Sequence, residues 1–323
     1  MKRVLTGVKP TSDMLHLGNY VSAIQPLIEM QSNPELDVML FVADYHALTT
    51  LKDGNTVRDN TRSLLKQYIA LGVDPQKVVM FIQSQGPEVC ALAYMLSCVA
   101  PLGLMQRSHA IRAAEAEGKE VNCGTFLYPI LMAADILLYS ADLVPVGIDQ
   151  IQHLEIAADL AQKFNHHFGA ELKIPKPMLQ EKVQKLLGVD GNKMSKSKGN
   201  TIDIFGPEKE VKAAIMRIKT DSTPMGQPLN PETCNVSAIY AALGTPEQVE
   251  ALRAEYIAGT IGYRQAKKKL VELFFEKFGA ARKRFMEITD DEINDVICLG
   301  AAKAYERARD VLEMLSESTG TVY

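Results

Sequence analysis

Two stretches of this sequence carry residue types suited to chemistry on phosphate. Residues 191–200, GNKMSKSKGN, set Lys193, Lys196 and Lys198 among serines and between Gly191 and Gly199, and no hydrophobic period runs through them. Ammonium groups on a loop with few steric anchors can follow negative charge as it builds on a leaving phosphate, and the glycines would let the loop close and reopen. The competing reading is a solvated basic loop. Residues 7–20, GVKPTSDMLHLGNY, put Gly7 and Pro10 in a turn and His16, Gly18 and Asn19 where a helix begins. Unpaired N–H groups at a helix start favour an anion, and a glycine lets a phosphate or a base approach the backbone closely. Neither stretch has the GxGxxG or GxxxxGK[ST] spacing, so dinucleotide and P-loop readings fail.

A third feature is a lone carboxylate. Asp135 stands among Met132, Ala133, Ala134, Ile136, Leu137 and Leu138. Burying it is costly unless a donor meets it. A buried arginine, the N-terminus of another helix or a ligand donor would each serve.

The elements that must position these residues are legible in outline. RVLTG at 3–7, DVMLFVAD at 37–44, VVMFIQS at 78–84 and LVPVG at 143–147 read as buried strands, separated by helical periodicities at 56–72 and 87–103. That alternation predicts an α/β fold, a Rossmann-like doubly wound parallel sheet, with ligands at the carboxyl ends of its strands. After about residue 206 amphipathic helices follow one another, so an all-helical C-terminal domain is expected. The boundaries expected are a catalytic domain over 1–205 with a connective insertion at about 105–125, a helical domain over 206–296, and a C-terminal helix over 297–323. Residues 112–124 read as an exposed connection.

Composition excludes other classes. At 323 residues and 47% hydrophobic content a sizeable core is expected and disorder is excluded. The longest apolar run, 126–139, is broken by Pro129 and Asp135 and is too short for a bilayer. The first residues lack the apolar core of a secretory signal, so a cytoplasmic location is expected. The five cysteines are too far apart for a zinc knuckle or a CxxC, and no metal site is expected from protein ligands. A net charge of −4 argues against a wholesale polyanion binder. Tryptophan is absent from the chain.

Taken as a pair, His16-Leu17-Gly18-Asn19 after the first strand and Lys193-Met194-Ser195-Lys196-Ser197 far downstream resemble the HIGH and KMSKS motifs of class I aminoacyl-tRNA synthetases. YPILMAADILLYSADLVPVGIDQIQHLE at 128–155 is similar to the corresponding segment of bacterial tryptophanyl-tRNA synthetases, and further counterparts run to the closing GAAKAYERARDVLEML. The resemblance implies activation of L-tryptophan with ATP and Mg²⁺, transfer to tRNA, and a homodimer joined through the apolar helices around 87–105. It implies His16, Lys193 and Lys196 as catalytic groups. It implies an ATP site of Lys9, Pro10, Thr11, Gly18, Asn19, Gly147, Ile148, Asp149, Leu186, Lys193, Met194, Ser195, Lys196 and Ser197. For tryptophan it implies Asp135 on the indole nitrogen and Met132 packing on the ring, with Gly7, His46 and Gln150 nearby. Lys9 and Ile148 depart from the glutamine and glutamate that the family more often carries.

Two alternatives stay open. Tyrosyl-tRNA synthetases share the architecture, both ATP motifs and a carboxylate near Asp135, but commonly carry glutamine where Met132 stands. A synthetase-like paralogue that binds nucleotide or RNA without aminoacylating is the other. For tRNA, basic clusters in the helical domain supply Lys267, Lys268, Arg282 and Arg284 as candidate phosphate contacts.

Overall fold

The computed structural model describes residues 1–116, 118, 121–147, 150–179 and 186–321. In chain order the first part runs β1 (Lys2–Val8), α1 (Leu17–Asn19), α2 (Gln25–Met30), β2 (Leu36–Val42), α3 (Asp44–Ala47), α4 (Gly54–Ala70), β3 (Val78–Ile82), α5 (Glu88–Val99), α6 (Leu102–Gln106), α7 (His109–Ala116), α8 (Cys123–Leu138), β4 (Leu143–Val146), α9 (Ile151–Phe168) and β5 (Lys176–Leu179). Helices then follow: α10 (Glu208–Met216), α11 (Asn235–Leu243), α12 (Pro246–Ala258), α13 (Tyr263–Glu287) and α14 (Asp290–Thr319).

The five strands form one parallel sheet in the order β3-β2-β1-β4-β5. Successive side chains of a strand point to opposite faces. Val38, Leu40 and Val42 accordingly enter one core with α4 and the helices after α10, while Met39 and Phe41 enter a second core with α5, α8, α9 and α14. Burial on both faces is why β2 and β3 read as unbroken apolar runs. Strand order turns back at β1 and β4, so the ends of those strands open the cleft that holds the site.

The structure corrects the expected organisation in four places. A fifth strand, β5, was not expected: Lys-Pro-Met-Leu is mostly exposed and carries a proline, which an edge strand tolerates. Part of the supposed connection at 112–124 is helical, since α7 extends to Ala116 and α8 starts at Cys123. Alanine and glutamate there are strong helix formers. The last helix begins at Asp290 rather than at 297. Thr289 caps it by accepting from the Glu292 N–H, and Asp290, Asp291 and Glu292 place negative charge in its first turn, a helix-start pattern overlooked in the sequence. Finally, the helical segment does not have a core to itself. Tyr20 meets Phe278 edge-on at 5.0 Å between ring centroids, and Phe205 meets Phe285 at 4.5 Å, within the core that also covers one face of the sheet.

Helix α14 returns to the sheet and packs along β3, an edge strand. Arg307 grips Asp37 of β2 with bonds of 3.0 and 3.1 Å, and Arg3 joins the same carboxylate at 3.0 Å. Gly300 lies so close that a Cβ there would sit 1.6 Å from the Met80 carbonyl oxygen. Covering an edge with a helix removes a site for unwanted strand pairing. Gly300→Ala should cost about 2–3 kcal/mol of stability through forced separation of α14 from β3. A denaturant midpoint unchanged from the wild type would show that this packing is looser than described.

Candidate active site

Three elements build the amino-acid side of the cleft. Asp135 lies on α8 in the same face as Tyr128 and Met132, spacings of four and three residues that stack on a helix. It is 2% exposed. Gln83, just past β3, donates its amide N–H to both carboxylate oxygens at 2.7 and 2.9 Å, and His46 Nε2 lies 3.0 Å from Oδ2. The Gln83 carbonyl oxygen in turn accepts from the backbone N–H groups of Tyr45 and His46 at 3.1 and 3.4 Å. Neither the arginine nor the helix terminus considered as a partner is used. Burial pushes the Asp135 carboxyl up, against the opposing pull of His46 and Gln83. Because Asp135 Oδ2 accepts, His46 presents its proton at Nε2, and among the described residues its buried Nδ1 has no hydrogen-bond partner.

Asp135 opens on a cavity of about 270 Å³ whose lining includes Gly7, Lys9, His46, Met132, Gly147 and Gln150, with Phe41 and Tyr128. All five residues expected around tryptophan are therefore together. Gly7 pairs with Phe41 across β1 and β2, and a Cβ on it would stand 2.4 Å from the Phe41 ring. Tyr128 packs on His46 with centroids 4.2 Å apart, and Lys9 Nζ lies 5.7 Å from the Tyr128 centroid and donates to Thr49 Oγ1 at 3.0 Å. Gln150 Oε1 is 2.9 Å from His153 Nδ1. A larger cavity of about 840 Å³, bounded by α5, the start of α8 and residues 45–52 with His46 among them, is mostly apolar and does not include Asp135.

The two phosphate motifs meet on the other side of β1. His16 caps α1: its Nδ1 accepts from the Asn19 N–H at 3.3 Å, and Asn19 Oδ1 accepts from the His16 N–H at 3.1 Å. Nδ1 is thus an acceptor, and in the neutral ring the proton lies on Nε2. Burial holds the His16 pKa below its usual value, with Asp203 opposing and Lys196 adding to the shift. Leu17 N–H donates to Ile202 O and Ile204 N–H to Leu15 O, which ties this turn to the segment following the lysine loop.

In that loop Gly191 and Gly199 adopt φ of 84° and 61°, left-handed conformations that favour glycine. Asn200, 2% exposed, closes it from inside: Oδ1 accepts from the Ser195 N–H at 2.7 Å, and Nδ2 donates to the Lys193 carbonyl at 3.1 Å and to Asp190 Oδ1 at 2.7 Å. Hydrogen bonds from the Asn192 side chain and backbone, and then from Asn200, draw the Asp190 carboxyl down to about 2. Lys193 is exposed, whereas Lys196 Nζ is bonded to Asp13 Oδ1 at 3.1 Å. Leu186 and Met194 bury their side chains in the core, so only their backbones could meet a nucleotide. Pro10 is buried and Thr11 exposed at the cleft. Ile148 and Asp149 lie outside the described residues, as does the Ser197 side chain.

The tRNA candidates fare differently. Lys267 donates to the carbonyl of Met216, the last residue of α10; Arg282 donates to the Ile204 and Gly206 carbonyls; Arg284 pairs with Glu292. These three cations make contacts within the fold, to carbonyls and a carboxylate of neighbouring segments. Lys268 remains exposed.

The sequence model for tRNA synthetases class I (W and Y) matches residues 1–279. The chain belongs to that family. It is 41% identical over 325 residues to a tryptophan-tRNA ligase of Fusobacterium nucleatum, spanning 100% of this chain and 99% of the relative. A crystal structure of tryptophanyl-tRNA synthetase from Campylobacter jejuni complexed with ADP and tryptophan superposes with a TM-score of 0.92 at 39% identity, covering 98% of this chain and 99% of that one. Tyrosyl-tRNA synthetase of Archaeoglobus fulgidus shares the fold, at a TM-score of 0.67 and 21% identity.

Gln83, Tyr128 and Asn200 are site residues that reading the sequence missed. Tyr128 was signalled by its spacing from Met132 and Asp135, and Gln83 by standing polar at the end of an apolar strand. Asn200 gave no local sign. Asn200→Ala should unfasten the lysine loop and lower kcat for adenylate formation about 10- to 100-fold, the scale on which small misplacements act, with the amino-acid KM nearly unchanged. Steady-state exchange kinetics check this; an amino-acid KM that rises as much as kcat falls would argue against a loop-specific role.

Proposed function

We propose that the chain is a tryptophan-tRNA ligase, which activates L-tryptophan with ATP to tryptophanyl-adenylate and pyrophosphate and passes the tryptophan to the 3′ end of its tRNA. The observation that carries the choice of amino acid is the state of Asp135. A carboxylate has about four lone-pair directions. Gln83 and His46 engage both oxygens, yet among the described residues Oδ1 accepts only from Gln83, which leaves room for one further donor. An indole N–H fills that place and asks for nothing in return. A phenol would also need a donor for its oxygen, and Met132 beside Asp135 has none to give.

In this reading a tryptophan carboxylate oxygen attacks the α-phosphorus, the bond to the bridging oxygen breaks, and pyrophosphate leaves. Lys193 and Lys196 balance the charge building on the departing oxygens, Lys196 exchanging Asp13 for phosphate, and His16 presents Nε2–H to the triphosphate. A ribose hydroxyl of the tRNA then attacks the acyl carbonyl and AMP departs. Magnesium would ride on the phosphate oxygens, as it commonly does at nucleotide sites; among the described residues no group of three His, Cys, Asp or Glu converges to hold a metal. Of the four candidates for tRNA phosphate, Lys268 is the one that stays exposed. A cytoplasmic location goes with the proposed role, and among the described residues no helix is long and apolar enough to cross a membrane.

The proposal includes a homodimer through α5, α6 and the start of α8. Tyr94, Leu102 and Leu127 are exposed there by 73, 64 and 44%, beside the 840 Å³ apolar cavity. Sedimentation at micromolar concentration should give a dimer in the wild type and a monomer in Tyr94→Glu. A wild-type monomer would remove this part of the reading.

Tryptophan-dependent ATP–pyrophosphate exchange tests the main proposal, with tyrosine as the competitor. Hydrogen bonds to charged groups contribute about 1.5–3 kcal/mol, so Asp135→Asn should raise the tryptophan KM roughly 10- to 100-fold. The raised Asp135 pKa also sets a pH dependence. Acidification protonates this carboxylate before an ordinary one near 3.8, so the wild-type tryptophan KM should climb as pH falls while that of Asp135→Asn stays flat. The sign for stability is the opposite: the proton-linked contribution is full below 3.8 and is lost as pH rises through the folded-state pKa. Exchange with tyrosine in place of tryptophan would overturn the specificity argument.

A further inference from the structure

Helix α4 touches no part of the tryptophan cavity, yet one of its faces is unusually committed to the phosphate side. Asn60 Nδ2 donates to the Pro10 carbonyl at 3.1 Å, Ser63 Oγ donates to the Asp13 carbonyl at 2.8 Å, and Gln67 reaches both ends of the same segment. Gln67 is fully buried at 0% exposure. Its Oε1 accepts from the Leu15 N–H at 2.7 Å, and its Nε2 donates to the Asp13 carbonyl at 2.7 Å and to Ser63 O and Oγ at 3.2 and 3.0 Å. Residues 60, 63 and 67 recur at helical spacing, so the three contacts form one ladder along the 10–15 loop.

The loop has no strand or helix of its own between β1 and α1. Its backbone groups must therefore find partners elsewhere, and a buried amide is a strict one because each unmatched group costs its full desolvation. Leu15 shows the consequence. Its N–H is held by Gln67 and its carbonyl by the Ile204 N–H, so the residue just before His16 is fixed from both sides. Asp13, held through its carbonyl by Gln67 and Ser63, presents its carboxylate to Lys196. One side chain thus sets where His16 stands and where Lys196 rests.

We propose that Gln67 is a positioning residue for the ATP half of the site, acting through Leu15 and Asp13 on His16 and Lys196 and leaving the tryptophan half untouched. Its consequence for adenylate formation rests on the ligase reading; its consequence for ATP binding does not. The site offers the contrast needed to see it, because Gln67 is absent from the cavity that Asp135 lines.

The experiment is a pair of equilibrium titrations, ATP and tryptophan separately, on the wild type, Gln67→Leu, Ser63→Ala and Gly300→Ala. Tryptophan binding can be followed by the ligand's own fluorescence, since the chain contains no tryptophan. Gln67→Leu should weaken ATP about 10- to 30-fold, in line with the cost of small misplacements, with tryptophan affinity within about twofold of the wild type. Ser63→Ala, which removes the bond to the Asp13 carbonyl and one of those donated by Gln67 but leaves the rest of the Gln67 contacts in place, should weaken ATP about threefold. Gly300→Ala lowers stability at the far edge of the sheet and should change neither affinity. Parallel losses of ATP and tryptophan in Gln67→Leu, an ATP affinity equal to the wild type, or the same ATP loss in Gly300→Ala would each overturn the proposal. If Gln67→Leu does not fold, Ser63→Ala decides, and an unchanged ATP affinity there counts against it. Failure of the ligase reading has a separate sign: no tryptophan-dependent exchange in the wild type, with the titrations still reporting on Gln67.

Discussion

A carboxylate buried in the middle of an apolar helix constrains everything around it. Asp135 on α8 keeps its place because two donors reach it from segments at the carboxyl ends of other strands, Gln83 after β3 and His46 after β2. Removing a charge from water costs far more than one neutral hydrogen bond returns, so each partner is needed. Gln83 goes further and fixes the backbone of Tyr45 and His46, which locks α3 against the end of the sheet. The order β3-β2-β1-β4-β5 places the ends of β2 and β3 side by side, and only such adjacency brings both donors to one carboxylate.

The phosphate side of the cleft is built on another principle. Its chemistry-bearing groups sit on irregular backbone, which no ladder of hydrogen bonds holds in place. Side-chain amides hold that backbone instead, Gln67 and Asn60 for the loop before His16, and Asn200 for the loop that carries Lys193 and Lys196. An amide both donates and accepts, so it can tie together two backbone groups facing in opposite senses. A charged side chain in those places would satisfy one sense only and would add to the field that the triphosphate must meet.

This division explains which features could be read from the sequence. Short apolar, β-branched runs made β1 to β4 visible, and the lone Asp135 announced itself by breaking an apolar run. The lysines stood out for the same reason, as chemistry without periodicity. Gln67 and Asn200 look like ordinary polar residues of a helix and a loop, because what distinguishes them is the backbone each meets across the fold. Arg282 and Lys267 hold a second role that the sequence hides: a cluster of charge along α13 suggests a nucleic-acid face, and spacing cannot tell that carbonyls at Ile204, Gly206 and Met216 also lie within reach. Strand β5 escaped because an exposed edge strand with a proline has neither the burial nor the alternation that marks its neighbours.

The contact between Lys196 and Asp13 shows how the two halves of the phosphate site can be ordered before substrate arrives and still give way to it. The pair lies at the surface, with the Asp13 side chain 73% exposed. Surface ion pairs contribute little, of the order of 0–1 kcal/mol. Such a contact is strong enough to favour one resting position for the ammonium and too weak to compete with a polyphosphate. Asp13 keeps its own place through its backbone carbonyl, held by Gln67 and Ser63, so the release of Lys196 would not release the loop before His16. Firm backbone anchors with a weak side-chain latch let the lysine loop exchange partners while the histidine it faces stays fixed.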